Sequence, residues 1–259
     1  MNIYSKFLFL SSMIINLLSA EIFEINRFEE VNQHIDENTL IILDIDDTLL
    51  IPQQMLGCDE WFMNRLKEYD GLGLTFAEAL DKTLFEWEGI RSLTHMNLVE
   101  DETASIIKDL QRKNIPIICL TTQRFALGPR TVYQLNLHNI DATKTSPFKD
   151  NFFFMSQNLG ILFYEGILFT NGTHKGKTFF SFCEKQNIHP KKVVFINDKK
   201  SHLVELEQTC QEFGVEYVGL RYAYSDKKKS EFSYDLAKIQ AKQISLDKII
   251  SDNDAKEKN

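Results

Sequence analysis

The stretch IILDIDDTLL, residues 41–50, constrains the fold more than any other part of the chain. It is an apolar run that ends in three carboxylates and a threonine. An apolar run without alternating polar residues is typical of a central strand in a parallel sheet, because such a strand is covered on both faces. Ligands of open α/β sheets bind beyond the carboxyl ends of the strands, so the end of this strand is a candidate active site.

Asp44 and Asp46 follow this strand with one residue between them. Residues i and i+2 of an extended segment point to the same side, which brings the two carboxyl groups together. Close carboxylates repel each other unless a proton or a cation lies between them, and a hard divalent cation such as Mg²⁺ meets this need. The alternative is an acidic, solvated turn after a strand, which explains an isolated pair of this kind at least as well.

Composition and charge exclude several classes of protein. The chain has 259 residues, of which 43% are hydrophobic, enough for one large core with an inserted subdomain. The formal charge is −8, and no long basic stripe interleaved with aromatic residues occurs. Nucleic acid and anionic membranes are therefore not expected as partners. The sequence leaves the oligomeric state open.

Residues 1–20 have the features of a secretory signal peptide. A basic segment ending at Lys6 precedes an apolar stretch, residues 7–18, that is short for a bilayer span, and Ser19 and Ala20 form a small-residue cleavage site. We therefore predict an exported protein, periplasmic or secreted, with no stable membrane association after cleavage. An uncleaved membrane anchor is the alternative.

The four cysteines indicate neither a zinc site nor a catalytic thiol. Cys119 lies in an apolar strand and is predicted to be a buried apolar side chain. Cys58, Cys183 and Cys210 have no metal-ligand or CxxC spacing, and their pairing in an oxidising compartment stays open.

Apolar spacing predicts a helical cap inserted into an α/β core. Residues 21–37 have helical spacing and lead into the first strand. Residues 59–112 also have helical spacing, and a crossover of this length exceeds what one helix between parallel strands needs. The predicted organisation is a signal peptide over 1–20, core over 21–58, helical cap over 59–112, and core with a C-terminal helix over 113–259. Loops that face a catalytic crevice carry specificity, so the candidates for substrate selection in the cap are Trp61, Trp87, His95 and Asn97.

Two later strands also end in polar residues. Residues 115–120 lead to Thr121 and Thr122, and a hydroxyl group beside backbone N–H groups can hold a phosphoryl oxygen. Thr121 is the first choice and Thr122 is the alternative one residue further on. Residues 193–196 lead to Asn197 and Asp198 in the same way.

Between these strands we predict a hairpin and then a helix that begins near a lysine. The hairpin turns at residues 164–167, and the segment NGTHKGK, residues 171–177, opens an amphipathic helix. A lysine at a helix start can direct a point charge at a phosphate group. Lys175 is the first candidate and Lys177 the second, while a solvated loop lysine is the plainer interpretation.

These four segments resemble, in order, the four motifs of the haloacid dehalogenase-like (HAD) superfamily, most of whose members are Mg²⁺-dependent phosphatases. DIDDTL is similar to motif I, the strand ending at Thr121 to motif II, Lys175 to motif III, and VVFIND to motif IV, with Asn197 where an aspartate is common. The resemblance implies that Asp44 is the nucleophile and Asp46 the general acid/base. It further implies a phosphate site at Thr121 or Thr122 and Lys175, and a Mg²⁺ site at Asp44, the Asp46 main-chain carbonyl and Asp198.

Shorter segments are similar to the DUF2608 family, an uncharacterised bacterial branch of HAD-like proteins. These segments are LVE, LQRK, LTTQR, GILFTNG, GLRY and SDNDA. The resemblance implies a Rossmann-like three-layer α/β core with a central parallel sheet, and a small helical cap inserted after the first core strand. In the HAD superfamily, an insertion at this place implies a partly closed site that suits small phosphorylated molecules.

We therefore predict a Mg²⁺-dependent phosphatase that hydrolyses a small phosphomonoester through an aspartyl-phosphate. Transfer of the phosphoryl group to an alcohol would use the same residues. The alternative is an exported binding or host-interaction protein that keeps the HAD scaffold with little or no catalysis, since a fold does not guarantee a function. Asn197 is the departure that favours this alternative.

Overall fold

The computed structural model describes residues 20–244 and 249–258. The predicted signal peptide lies outside the described residues, except for Ala20, which begins the first strand. The strands are β1 (Ala20–Ile25), β2 (Thr39–Leu43), β3 (Leu50–Pro52), β4 (Met96–Leu98), β5 (Ile117–Thr121), β6 (Phe152–Ser156), β7 (Leu159–Tyr164), β8 (Ile167–Phe169), β9 (Lys192–Asn197) and β10 (Glu216–Tyr222).

The helices follow the strands through most of the chain. They are α1 (Asp59–Gly71), α2 (Phe76–Leu93), α3 (Thr103–Arg112), α4 (Gly128–Leu137), α5 (Lys175–Lys185), α6 (Lys200–Phe213), α7 (Asp226–Ser230), α8 (Tyr234–Lys242) and α9 (Asp252–Lys256). Short 3₁₀ helices span Phe28–His34 and Phe125–Leu127.

A mostly parallel sheet forms the centre of the molecule. Within the described residues it has eight strands in the order β1-β10-β9-β2-β5-β8-β7-β6. The first six strands of this order, β1, β10, β9, β2, β5 and β8, pair in parallel. β7 pairs antiparallel with both β8 and β6. The predicted hairpin is the β7–β8 turn, which places Tyr164 opposite Ile167. β3 and β4 form a separate antiparallel pair.

Both faces of the central strands are buried, which makes the core three layers thick. Ile41 and Leu43 of β2 face a cluster that includes Ile107 of α3. Leu40 and Ile42 face the opposite cluster, which is built on α5 and α6. This two-sided burial explains the unbroken apolar runs in the sequence. The predicted α/β class with a central parallel sheet is confirmed.

Helices α1 and α2 lie in the range predicted as the cap. Trp61, Trp87 and Ile90 form their own apolar cluster there, together with Ala237 of α8. The C-terminal part of the chain thus packs against the predicted cap. Helix α3 lies in the same range, but its Ile107 and Leu110 are buried in the sheet core. The division of the chain at residue 112 stays a prediction.

The helix expected over residues 21–37 is replaced by a strand and a 3₁₀ helix. Residues 20–25 form the edge strand β1, because β10 offers an open parallel edge that pairs from Ala20 with Tyr217 to Ile25 with Tyr222. Phe28 and Val31 bury one face of the 3₁₀ helix that follows. Their spacing of three fits a 3₁₀ turn as well as an α-helix, which is why the sequence pattern was misleading.

Two further features of the described residues concern the helices and the cysteines. None of the described helices is long and apolar enough to cross a membrane. Cys58, Cys119, Cys183 and Cys210 are all buried free thiols. Burial raises the pKa of the Cys119 thiol to about 12, as expected for a thiol surrounded by apolar side chains.

Candidate active site

Asp44 lies at the carboxyl end of β2, next to β9. Its backbone N–H donates to the carbonyl of Ile196 at 3.0 Å, so the ladder between the two strands extends as far as this residue. Its side chain is buried, and its Oδ1 accepts a hydrogen bond from Lys175 Nζ at 2.5 Å. Burial raises the pKa of Asp44 to about 6, the Lys175 ammonium opposes this shift, and the nearby charge of Asp198 adds to it.

Lys175 is the first residue of α5 and is completely buried. Its ammonium group binds Asp44 and also donates to the carbonyl of Leu120 in β5 at 3.2 Å. The following Gly176 permits this position, because a Cβ atom there would lie 2.6 Å from the carbonyl oxygen of Glu205 in α6. The glycine therefore brings α5 close to α6 and its lysine to the strand ends. Lys177, the second candidate, is exposed.

Asp46 is held by two residues that the sequence did not identify. Its Oδ1 accepts a hydrogen bond from Arg91 of α2, and its Oδ2 accepts one from Gln123 Nε2 at 2.8 Å. Gln123 is oriented in turn by Thr131, whose hydroxyl donates to Oε1 at 2.7 Å. Arg91 is buried, and its guanidinium lies 5.0 Å from the ring centroid of Trp87. A signal for both residues was present: Gln123 lies in the quoted segment LTTQR, and Arg91 follows Trp87 by one helical turn.

The two threonines after β5 differ in their surroundings. Thr121 is buried, and its hydroxyl accepts a hydrogen bond from the backbone N–H of Gln123 at 3.1 Å. Thr122 lines the cavity beside Asp44, and its carbonyl accepts from the N–H of Gly172 at 2.9 Å. Thr122 is therefore the hydroxyl residue that faces the space in front of Asp44.

Asp198 follows β9 and is buried. Its backbone N–H donates to Thr48 Oγ1 at 3.0 Å, and its Oδ2 accepts from Lys229 Nζ at 2.7 Å. Its Oδ1 is buried without a hydrogen-bond partner in the described part of the chain. The side chain of Asn197 does not line the cavity, and its Oδ1 accepts a hydrogen bond from the backbone N–H of Lys199 at 2.7 Å.

A cavity of about 560 Å³ lies in front of Asp44. The strand ends and the loops after them supply its polar side, which includes Asp44, Asp46, Thr122 and Gln123. Helices α1 and α2 supply an opposite, largely apolar side. Ion pairs join the predicted cap to the core beside this cavity: Arg91 with Asp46, Asp59 with Lys199, and Arg124 with Asp81 and Glu88.

Of the four cap residues expected near the substrate, Trp87 lines this cavity. Trp61 is buried in the apolar cluster of the cap, next to Ile90. His95 and Asn97 are exposed, and Asn97 accepts a hydrogen bond from Gln53. The sequence did not show which of these four residues lines the cavity, because the local pattern around each of them does not reveal the direction of its side chain.

Two carboxylates of the site fit Mg²⁺. Among the residues that the structure describes, no three His, Cys, Asp or Glu side chains are grouped to hold a metal by themselves. Mg²⁺ often uses one or two carboxylates and completes its shell with water and substrate phosphate. Asp44 and Asp198 provide these two carboxylates, and the unpartnered Oδ1 of Asp198 is a free oxygen ligand. The Asp46 carboxylate does not fit, since Arg91 and Gln123 occupy both its oxygens, which leaves its main-chain carbonyl.

Several known proteins are similar to this chain over most of its length. A "Putative outer membrane protein" of Chlamydia trachomatis serovar D is 26% identical over 234 residues, which cover 89% of this chain and 88% of the relative. A protein of the same description from Chlamydia pneumoniae is 25% identical over 237 residues, covering 90% and 89%. An uncharacterised protein of Rickettsia prowazekii is 25% identical over 198 residues, covering 73% and 71%.

The chain is also similar to solved structures of proteins described as HAD hydrolases. A haloacid dehalogenase-like hydrolase from Streptococcus pneumoniae is 13% identical with a TM-score of 0.44, covering 70% of this chain and 93% of that one. A HAD-superfamily hydrolase from Ehrlichia chaffeensis is 15% identical with a TM-score of 0.39, covering 73% and 94%. At this distance the fold class rests on the sheet topology itself, and the family rests on the sequence. The family model described as "Protein of unknown function (DUF2608)" matches residues 24–256, and the chain belongs to that family.

Proposed function

We propose that this protein is a Mg²⁺-dependent phosphomonoester hydrolase in which Asp44 is the nucleophile. The observation that carries the proposal is the contact of Lys175 Nζ with Asp44 Oδ1 at 2.5 Å, made between two buried side chains that are 131 residues apart. A buried pair of lysine and carboxylate is expensive to desolvate, and one established reason to keep such a pair beside a cavity is chemistry. Gln123 and Arg91 hold a second carboxylate beside it.

In the first step, a carboxylate oxygen of Asp44 attacks the phosphorus atom of the ester. The bond from phosphorus to the ester oxygen breaks, and Asp46 in its protonated form gives its proton to the departing alcohol. Asp44 then carries the phosphoryl group as an acyl phosphate. We assign to Lys175, which contacts Asp44, and to Thr122, which lines the cavity, the binding of the oxygens of the transferring group. Such positioned groups supply most of the barrier reduction in phosphoryl transfer.

In the second step, water attacks the phosphorus atom of the acyl phosphate while Asp46 accepts a proton from it. The bond to the Asp44 oxygen breaks, which releases inorganic phosphate and restores the free carboxylate. Mg²⁺, held by Asp44, Asp198 and the Asp46 main-chain carbonyl, would neutralise phosphate charge when it is bound. An alcohol in place of water would make the same protein a phosphotransferase.

We also propose that the protein is exported. The signal-like residues 1–20 support this, and relatives from Chlamydia carry the name "Putative outer membrane protein". Fractionation of cells that express the full-length chain would test it. A protein retained in the cytoplasm with residues 1–20 intact would contradict it.

The function is tested by phosphate release from a panel of phosphomonoesters, with Mg²⁺ and with EDTA, using the full-length protein. We expect release that requires Mg²⁺ and is abolished in Asp44→Asn. The matched control is Asp226→Asn, which removes a carboxylate that pairs with Arg221 outside the cavity. Equal activity in Asp44→Asn and the unmodified protein would overturn the proposal.

A second candidate is a binding protein that uses the same scaffold without efficient catalysis. Two contacts favour it: Lys229 occupies one oxygen of Asp198, and the Asn197 amide is directed to a backbone N–H and not to the cavity. This protein would bind a phosphorylated ligand without releasing phosphate. Ligand binding without turnover across the panel would select this candidate.

A further inference from the structure

The cavity in front of Asp44 has two unlike sides, and this difference bears on the substrate. Its apolar side is continuous, since Phe62, Trp87 and Phe232 belong to or pack on one apolar cluster, and the rings of Phe62 and Trp87 lie 6.1 Å apart, edge to face. Met63 and Leu84 extend this surface within the cavity. A molecule whose phosphoryl group lies at Asp44 therefore directs the rest of its body at apolar side chains.

The cations that line the cavity already have partners. Lys229 binds Asp198 at 2.7 Å, and Lys199 binds Asp59. Arg124 lies 3.4 Å from Asp81 and 3.8 Å from Glu88. A second anionic group on the substrate would have to compete with these carboxylates for a cation, and at Lys229 or Lys199 this leaves the buried Asp198 or the partly buried Asp59 without its partner.

Polar substrate groups that contact the apolar side chains find no hydrogen-bond partner in them. The polar residues on the same side are Asp59, which binds Lys199, Glu60, and Asn64, whose Nδ2 donates one hydrogen bond to the carbonyl of Glu60 at 2.8 Å. Sugar hydroxyls that contact Phe62, Met63 or Leu84 would lose hydrogen bonds to water without replacing them. An aryl ring loses nothing in this way and gains from burial of its surface.

We propose that the substrates are phosphomonoesters with a single phosphoryl group on an uncharged apolar body, best an aryl group, in preference to sugar phosphates and to esters with a second anionic group. This inference rests on the proposed function, since it names the substrate class of the same site. The volume of about 560 Å³ is within the range of pockets that enclose molecules of this size.

The test uses esters of primary alcohols, so that their intrinsic reactivities are similar. The full-length protein is assayed with 2-phenylethyl phosphate, 2-(4-carboxyphenyl)ethyl phosphate and glucose 6-phosphate. We expect kcat/KM for the first to exceed that for the other two by roughly tenfold or more, the discrimination that a hydrophobic pocket typically achieves. An equal or reversed ranking overturns the inference.

Two methionine variants assign the preference to the apolar side. Met63→Ala should reduce the preference for 2-phenylethyl phosphate severalfold, whereas Met155→Ala should not. The two residues are comparable, since Met63 is 50% exposed and Met155, on β6 outside the cavity, is 60% exposed. Met63→Lys adds a cation to the apolar side, and should raise kcat/KM for the carboxylated ester relative to its parent. Equal responses of the two alanine variants would overturn the inference.

A binding measurement separates this inference from the proposed function. If none of the esters is hydrolysed, the hydrolase proposal fails, and calorimetry then compares 3-phenylpropylphosphonate with its carboxylated analogue. Tighter binding of the uncharged phosphonate, lost in Met63→Lys but not in Met155→Ala, supports the ligand class on its own. Equal binding of the two phosphonates, or binding of neither, overturns it.

Discussion

The charged pairs at the two ends of the parallel strands differ in their exposure to solvent. At the amino end, Lys192 of β9 pairs with Asp36 at 2.7 Å and with Glu216 at 3.1 Å, and both carboxylates are well exposed to solvent. At the carboxyl end, Lys175 and Asp44 form a pair that is almost fully buried. Hydration supports the charges of the first pair, whereas each charge of the second depends on its partner.

The proposed function assigns the chemistry to the carboxyl end of the sheet, and this difference supports that assignment. A pair at the surface contributes little to stability and tolerates change. A buried pair with an unpartnered carboxylate oxygen beside it, that of Asp198, is costly to maintain and suited to bind a charged ligand. Substitutions at the two ends should therefore separate activity from stability.

The largest effect is expected from breaking the buried pair. Lys175→Met should lower kcat/KM at least about a thousandfold, since it removes a charge from the transferring group. It should also reduce the free energy of unfolding by about 3–5 kcal/mol, because Asp44 is left buried without its partner. Phosphate release and urea unfolding measure the two effects.

The double variant Asp44→Asn/Lys175→Met sharpens this prediction. It should regain much of the lost stability but none of the activity, since no uncompensated charge stays buried. The control is Lys192→Met at the amino end, which should keep full activity. A double variant less stable than Lys175→Met would contradict the assignment of the cost to the unpaired carboxylate.

The next effect concerns Arg91, which acts through Asp46. Arg91→Gln should lower kcat by roughly tenfold to a hundredfold with little change in KM, because the acid/base group loses its orientation but the substrate contacts persist. Steady-state kinetics separate the two parameters. Arg65→Gln is the control, since this cap arginine pairs with Glu86 away from the cavity. Similar losses in both variants would mean that cap stability, and not Asp46, causes the effect.

A smaller effect is expected for metal binding. Asp198→Asn should weaken Mn²⁺ binding, used as a probe for Mg²⁺, by roughly tenfold to a hundredfold, since it removes one of two carboxylate ligands. Electron paramagnetic resonance of free Mn²⁺ measures the dissociation constant without any assay of activity. Asp226→Asn should leave it unchanged. An unchanged constant in Asp198→Asn would remove this residue from the metal site.

The smallest effect is expected at the amino end. The hydrogen bond from Lys192 holds the pKa of Asp36 below its usual range. The stabilisation is therefore fully present above the unfolded pKa of about 4, and it is lost as the pH falls through the lower folded pKa. Because this carboxylate is more than one-third exposed, Asp36→Asn should cost less than about 1 kcal/mol at neutral pH and nothing at low pH. Unfolding measured from neutral to acid pH tests this sign.

The sequence predicted the core of the fold because that core is built from local signals. Apolar runs that end in polar residues marked β2, β5 and β9, and the strands have these places in the sheet. The sequence did not predict β1, because its partner strand β10 lies almost two hundred residues later in the chain. The local pattern of β1 does not distinguish it from a helix. Secondary structure at a sheet edge thus depends on a partner that a local pattern does not contain.

Sequence motifs indicated some residues of the candidate site, whereas other residues reach it through tertiary contacts that no motif indicates. Asp44 and Lys175 were both proposed from their segments, and the fold brings them into contact. Arg91 contacts Asp46, and Lys229 contacts Asp198, from helices that carry no recognisable motif. Their roles depend on how α2 and α7 pack over the strand ends, and this packing follows from the whole chain.

The buried contact between Lys175 and Asp44 also has a consequence for how the two positions vary within the family. Loss of either residue alone leaves a charge that folding must bury without compensation, so the two positions can change only together or in quick succession. A relative that has lost the aspartate should therefore have lost the lysine, although 131 residues separate them. If the proposed function holds, the residues at these two positions separate family members that can form the acyl phosphate from members that retain the scaffold alone.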